Sequence, residues 1–287
     1  MPISRFLAAG LVLAAAGCAA APEDPQEGGP PEVGLQVRAL HVPLDDYNLS
    51  RPDIETIEYA EDLLIGACMR DLGLDWELLP PPEEHDADPL NRRRYGLVEP
   101  EVARRYGYHP PPPAPGQRAR EEARRVRAAL PLGEQVAAYG TDGRGGCLAE
   151  ARERLGADVP GFDAGVLNGY IGDTFEASRR DPRVVEVVGA WSACMRERGY
   201  AYEDPLDVLS DPAWAETEEA SSREVAVAGA DVLCKAETDL VAVWNAVEDE
   251  IQREVIDANP GDFALFGRVR DAELDAAREV IEATDPP

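Results

Sequence analysis

Over several long stretches of this chain, apolar residues recur three to four positions apart, the period of one face of an α-helix. Ile54, Ile57, Leu64 and Cys68 keep that spacing and predict a helix from about Pro52 to Leu72. Ser50 caps it with Asp53 three residues on, and Gly73 stops it. Val184, Val188, Trp191, Cys194 and Met195 predict a second helix, which opens at Asp181-Pro182 and ends at Gly199. Gly145-Gly146-Cys147 opens a short helix ending near Gly156. Leu233, Ala236, Leu240, Val243, Val247, Ile251 and Val255 read as one side of a single long helix that contains Cys234 and breaks at Asn259-Pro260-Gly261. Phe263 to Ala283 reads as one more, and a stretch with Val166, Tyr170 and Phe175 bridges the two parts of the chain. Leu35 to Leu44 alternates weakly and is expected to lie extended on the core. The expected fold class is all-α.

The first two helices end alike. Cys68-Met69-Arg70-Asp71-Leu72-Gly73-Leu74-Asp75-Trp76 and Cys194-Met195-Arg196-Glu197-Arg198-Gly199-Tyr200-Ala201-Tyr202 share the form Cys-Met-Arg-acid-x-Gly-apolar-x-aromatic. Similarity at a fixed distance suggests a structural unit used twice. The expected organisation is a disulfide-stapled helical array of two divergent halves, 35–160 and 161–287, the first carrying a basic, proline-rich insertion at 80–130. Pro80-Pro81-Pro82 and Pro110 to Pro113 mark polyproline stretches in that insertion. Arg94-Tyr95-Gly96 and Arg105-Tyr106-Gly107 form a small echo within it.

The N-terminal pattern differs from all of these. Arg5 precedes an apolar run from Phe6 to Ala16, then Gly17-Cys18. The run is shorter than the ~20 residues a spanning helix needs and reads as the core of an export signal. Ala15-Ala16-Gly17-Cys18 resembles a bacterial lipobox, with Ala15 where Leu is usual. That resemblance implies a signal peptide at 1–17 and a Cys18 thiol that takes a diacylglycerol and palmitate-type acyl chains. Residues 18–34, rich in Pro, Glu and Asp, then read as an acidic tether. The protein is expected to be exported and lipid-anchored to the outer face of the cell membrane, its membrane contact made through Cys18. Ordinary secretion, with cleavage in or near Ala19-Ala20-Ala21, is the alternative.

Charge narrows the partners. The chain holds 56 acidic residues against 28 basic ones, a net charge of −28. Such a surface repels nucleic acid and anionic head groups, so no nucleic-acid partner is expected. Apart from Cys18 there are four cysteines: Cys68, Cys147, Cys194 and Cys234. An even number in an exported chain favours disulfides. Without a Cys-x-x-Cys, and with His41, His85 and His109 scattered, no metal site or cofactor is expected. Four cysteines allow three pairings. A repeated unit favours Cys68–Cys147 with Cys194–Cys234, one bridge within each half. Cys68–Cys194 with Cys147–Cys234 would instead clip the halves together.

Candidate chemistry is sparse. From Asn91 to Arg127 ten arginines face four glutamates. Arg93, Arg94, Tyr95, Arg105 and Tyr106 are the candidate anion-binding residues, since guanidinium forks grip phosphate or carboxylate. The alternative is that these arginines pair with the chain's own acids. Glu83 to Asp88 and Glu248-Asp249-Glu250 are acidic clusters; the first lacks the glycine and spacing of a calcium loop. The second spreads its carboxylates around a helix, and both read as solvated surface. Nucleophile-elbow, phosphate-loop, dinucleotide and zinc-protease motifs are missing, so no catalytic residue is assigned. Trp191 and Trp244 fall at core positions of helices, whereas Trp76 and Trp214 are free to line a groove.

Pro43-Leu44-Asp45-Asp46-Tyr47, Ala67-Cys68-Met69-Arg70, Arg93-Arg94-Tyr95-Gly96, Tyr106-Gly107-Tyr108-His109, Gly145-Gly146-Cys147 and Cys194-Met195-Arg196 together carry a wider resemblance. From about Pro43 to beyond Cys194 the chain is similar to uncharacterised secreted lipoproteins of high-GC Gram-positive bacteria. That resemblance implies export and disulfides, but no activity. The expected function is therefore a non-enzymatic cell-surface binding or scaffolding module for an envelope protein or polymer. The rival is an envelope hydrolase using paired carboxylates in a cleft.

Overall fold

In the computed structural model, residues 34–82, 89–142 and 144–284 are described. The expected signal, Cys18, nearly all of the tether and the Glu83 to Asp88 cluster lie outside them. Every regular element among the described residues is helical. In chain order they are α1 Leu35–Arg38, a 3-10 turn Pro43–Tyr47, α2 Arg51–Asp71, α3 Pro100–Tyr106, α4 Pro115–Ala128, α5 Leu132–Tyr139 and α6 Gly146–Gly156. Then follow α7 Ala164–Arg179, α8 Pro182–Glu197, α9 Pro205–Leu209, a 3-10 turn Pro212–Glu216, α10 Ser222–Glu237, α11 Leu240–Ala258 and α12 Pro260–Thr284.

Helix ends follow local chemistry. At α2 the Ser50 hydroxyl accepts from the Asp53 N–H, and the Asp53 carboxylate accepts the Ser50 N–H at 2.9 Å. This reciprocal cap satisfies donors that a helix start leaves orphaned. At α8 the Asp181 carboxylate accepts from the Arg183 N–H, with Pro182 at the first turn. Their C-terminal ends are built identically. Leu74 N–H donates to Met69 O and Gly73 N–H to Arg70 O; Tyr200 N–H donates to Met195 O and Gly199 N–H to Arg196 O, all at 2.9 Å. Gly73 and Gly199 sit at φ +73° and +90°, where a side chain is strained.

Two expected elements form differently. Leu35 to Leu44 is not extended: α1 and the 3-10 turn bury Val37 and Leu44. Asp45 turns the chain there by accepting the Val42 N–H at 2.9 Å. The long helix through Cys234 is two helices, because Asp239 takes φ +58° between α10 and α11. Asp is among the few residues besides glycine that tolerate this region. The break redirects α11, so that Leu240, Val241, Trp244, Val247, Glu248 and Gln252 face inward. Within the insertion, α3 and α4 form, while the proline runs at 80–82 and 110–113 have no regular structure.

The main core gathers Trp191 and Met195 of α8, Val227 of α10, Trp244 of α11, and Tyr95, Leu97, Val102 and Tyr108 from the insertion. A second cluster joins Tyr59, Ala60 and Leu63 of α2 to Ala123 of α4 and to Ala277 and Val280 of α12. Chain order and packing therefore cross: part of the first half fills the core of the second, and α12 covers α2. Cys68–Cys147 joins α2 to α6, and Cys194–Cys234 joins α8 to α10, each with Cα atoms 5.7 Å apart. They enclose 79 and 40 positions. Loop entropy alone would give roughly 4 to 4.5 kcal/mol each as an upper figure, since delivered values are about 2–4.

Candidate functional site

The densest chemistry lies where the insertion meets α10 and α11. Arg94 Nε donates to Glu248 Oε2 at 3.0 Å, and Arg94 Nη2 closes a second bond to Glu248 Oε1. The Tyr95 hydroxyl and the Gln252 amide each donate to Glu248 at 2.9 Å. Gln252 in turn accepts the Leu44 N–H at 2.9 Å. Glu248 is fully buried, not a solvated surface acid. It lies four residues beyond Trp244 on the inner stripe of α11, and burial is tolerated because a guanidinium fork and two neutral donors meet its charge. Burial is also the main reason the Tyr95 hydroxyl is raised above its ordinary pKa.

One turn of the insertion further on, Asp231 and Lys235 of α10 form a second buried group. Lys235 Nζ donates to Asp231 Oδ2 and to the Leu97 carbonyl, both at 2.9 Å. Asp231 also accepts from Trp191 Nε1 at 3.0 Å and from the Tyr108 hydroxyl at 3.2 Å. Burial pulls each partner toward its neutral form, the Lys235 ammonium downward and the Asp231 carboxyl upward, against their mutual attraction. At the start of α10, Glu224 Oε1 accepts from Tyr108 N–H at 2.7 Å and meets His109 Nδ1 at 2.8 Å. His109 Nε2 lies 3.0 Å from the Thr217 carbonyl. The Glu224 contact is the largest cause of the raised His109 pKa. Glu224 Oε2 is buried without a hydrogen-bond partner.

The Arg-Tyr-Gly echo has a physical basis here. Gly96 and Gly107 take φ +84° and +56°. A Cβ on Gly96 would sit 2.6 Å from Lys235 Nζ, and one on Gly107 2.6 Å from Glu224 Oε1. Both turns thus bring bare backbone onto a buried charge of α10.

The five expected anion-binding residues are placed as follows. Arg94 and Tyr95 hold the internal Glu248 carboxylate. Arg93 Nη1 lies 3.5 Å from the Tyr108 carbonyl, and the Arg105 guanidinium stacks 5.0 Å from the centre of the Tyr106 ring. Other insertion arginines pair likewise: Arg92 Nε donates to Glu99 at 2.7 Å, and Arg127 Nη2 donates to Asp62 at 2.8 Å. Sequence reasoning missed Asp231, Lys235 and Glu224. Lys235, the one lysine of the chain, was the available signal, four residues after Asp231.

Three concavities among the described residues can be placed against these buried groups, and one of them reaches Lys235. A groove of about 420 Å³ runs between α2, α5 and α6, lined by Leu64, Ala67, Ala137, Ala151 and both cysteines of the first bridge, with Asp71, Glu150 and Arg154 around it. Another, of about 390 Å³, has walls of Val184, Val185 and Val188 with Arg179, Arg196 and Asp204. The third, of about 230 Å³, is lined by Gln36, Val98, Val232 and Lys235 among others. Trp191 and Trp244 are 0% and 1% exposed, and Trp214 is buried as well. Trp76 is half-buried, with the Arg127 guanidinium 4.4 Å from its ring centre. Among the described residues no group of three or more His, Cys, Asp or Glu is placed to hold a metal ion. No helix among them is long and apolar enough to cross a membrane.

No protein-family model matches the chain, and no curated protein or solved structure is similar to it.

Proposed function

We propose that this protein is an exported lipoprotein, anchored through Cys18 to the outer face of the cell membrane, that binds or scaffolds an envelope protein or polymer without chemistry of its own. One observation carries this reading. Of the buried acids, Glu248, Asp231, Glu99 and Asp62 are each met by an arginine or lysine of the same chain, and Glu224 is met by His109. A carboxylate hydrolase needs two acids facing substrate in a cleft that tunes their protonation apart. Here four of the acids out of solvent are tied to the chain's own arginines and lysine, and the grooves of about 420 and 390 Å³ are open, with largely apolar walls. A rigid core with tryptophans turned inward suits a presenting surface better than a catalytic cleft.

The matching ends of α2 and α8 further support the reading of two halves descended from one unit. Cys68 and Cys194 each lie three residues before the last residue of their helix. On this reading the stretch at 80–130 is an insertion in the first unit, placed between its two cysteines.

Fractionation tests the anchor. Cys18→Ser is expected to move the protein from the membrane fraction to the medium; retention as firm as wild type would overturn the lipoprotein reading. Photo-crosslinking of the anchored protein in native membranes, followed by pull-down, tests the binding role. A reproducible envelope partner is expected, and turnover of envelope polymer by the purified chain would favour the hydrolase instead.

A further inference from the structure

The two disulfides differ in the exposure of one sulfur and in the helix end at which one cysteine stands. Cys194 and Cys234 are 9% and 0% exposed and lie in the main core. Each sits three residues before the last residue of its helix, α8 or α10, where the helix dipole opposes a thiolate. Arg198 Nη1 approaches Cys194 Sγ at 2.9 Å, but that guanidinium is also engaged by both carboxylate oxygens of Glu237. Cys68 is half-buried instead and lines the groove between α2, α5 and α6, with Cys147, 1% exposed, beneath it at the groove wall. Cys147 is the second residue of α6, after Gly145 and Gly146 at φ +73°, and no side chain caps that helix start. Of the four bridged cysteines it alone stands at a helix N-terminus, where unpartnered N–H groups and the dipole stabilise a thiolate.

We infer that Cys68–Cys147 is a thiol–disulfide exchange site, attacked at Cys68 by a protein dithiol that enters the groove. The partner's thiolate bonds to Cys68 Sγ while the Cys68–Cys147 bond breaks, and Cys147 departs as a thiolate. The partner's second thiol, losing its proton, then attacks the partner sulfur of the mixed disulfide and releases Cys68 as a thiolate, which takes a proton, as does Cys147. The partner ends as a disulfide, and two electrons and two protons have passed to Cys68 and Cys147. Accessibility selects the sulfur attacked, and leaving-group acidity selects the sulfur expelled, so both point the same way. Glu150, whose Oε2 lies 3.8 Å from Cys68 Sγ, opposes an incoming thiolate and slows adventitious exchange. The inference rests on the export reading only for the disulfide-bearing compartment in which such a dithiol would be met.

The test uses the purified chain with both bridges intact and needs no membrane, so its outcome is independent of the anchor. Dithiothreitol is added under native conditions, thiols are trapped with iodoacetamide at intervals, and peptides are mapped. Cys68 and Cys147 are expected to be alkylated at least about tenfold faster than Cys194 and Cys234, as a better leaving thiol and an open sulfur require. With glutathione in place of dithiothreitol, the trapped mixed disulfide is expected on Cys68. Glu150→Gln is expected to quicken the Cys68 reaction and leave Cys194–Cys234 unchanged. Equal rates for the two bridges, faster opening of Cys194–Cys234, or glutathione on Cys147 would each overturn the proposal.

Discussion

Arg94 and Arg104 are both arginines of the insertion paired with a glutamate, yet removing them should have very different effects. The Arg104–Glu101 pair is exposed, with side chains 67% and 50% accessible, and Arg104→Ala should leave stability almost unchanged. Arg94 is bonded to the Glu248 carboxylate, which is 0% accessible. Arg94→Met should lower the unfolding free energy by about 3–5 kcal/mol, measured by denaturant titration, and Arg94→Met with Glu248→Leu should recover most of it. His109 gives the residue scale a pH signature. Its imidazolium is held between the Glu224 carboxylate and the Thr217 carbonyl, so its folded pKa stands above that of a free imidazole. The stability it contributes is fully present below the unfolded pKa and is lost as pH rises through the folded one. Denaturation midpoints should therefore fall across that window, and His109→Gln should flatten the fall. At this scale the sequence was least legible. Glu248 looked like one member of a charged triplet, because only the partner 154 positions away tells it from its neighbours Asp249 and Glu250.

Helices were legible wherever their ends carry local instructions. Ser50 with Asp53, Asp181 with Pro182, and the glycines at 73 and 199 mark ends that form where the sequence places them. The split at Asp239 was hidden, since neither Gly nor Pro announces it and the apolar spacing runs on across it. Two glycines at positive φ, Gly73 after α2 and Gly107 in the insertion, sharpen the contrast. Gly73 has open space around a would-be Cβ, so Gly73→Ala should lose only its left-handed cap, about 1 kcal/mol. Gly107→Ala meets three Glu224 atoms within 2.8 Å as well as a positive φ. Its loss should be clearly larger than that of Gly73→Ala by thermal denaturation, and should also displace His109 from Glu224, read as a shift of the imidazole titration.

At the scale of the whole molecule, four cysteines and a repeated helix end were enough to anticipate both bridges, but the cross-packing was not. No local pattern states that Tyr95 and Leu97 belong to the core of α8, α10 and α11, or that α12 lies on α2. Ending the chain after Ala258 should strip Ala277 and Val280 from Tyr59, Ala60 and Leu63. In hydrogen exchange, the α2 amides should then lose protection far more than those of α8 and α10. Similar loss in all three helices would mean that the clusters unfold as one.

The position of α12 also sets an order of events. Synthesis makes Arg51–Asp71 early and Pro260–Thr284 late. Until α12 has emerged, α2 carries an uncovered apolar flank at Tyr59, Ala60 and Leu63, even though its Ile65 and Met69 already pack against α5 and α6. Folding from the first residues forward cannot complete the cluster that joins Tyr59, Ala60 and Leu63 of α2 to α12. Contacts this distant along the chain make closure slow. The nascent protein therefore passes through a stage in which its earliest long helix is the surface most in need of a chaperone.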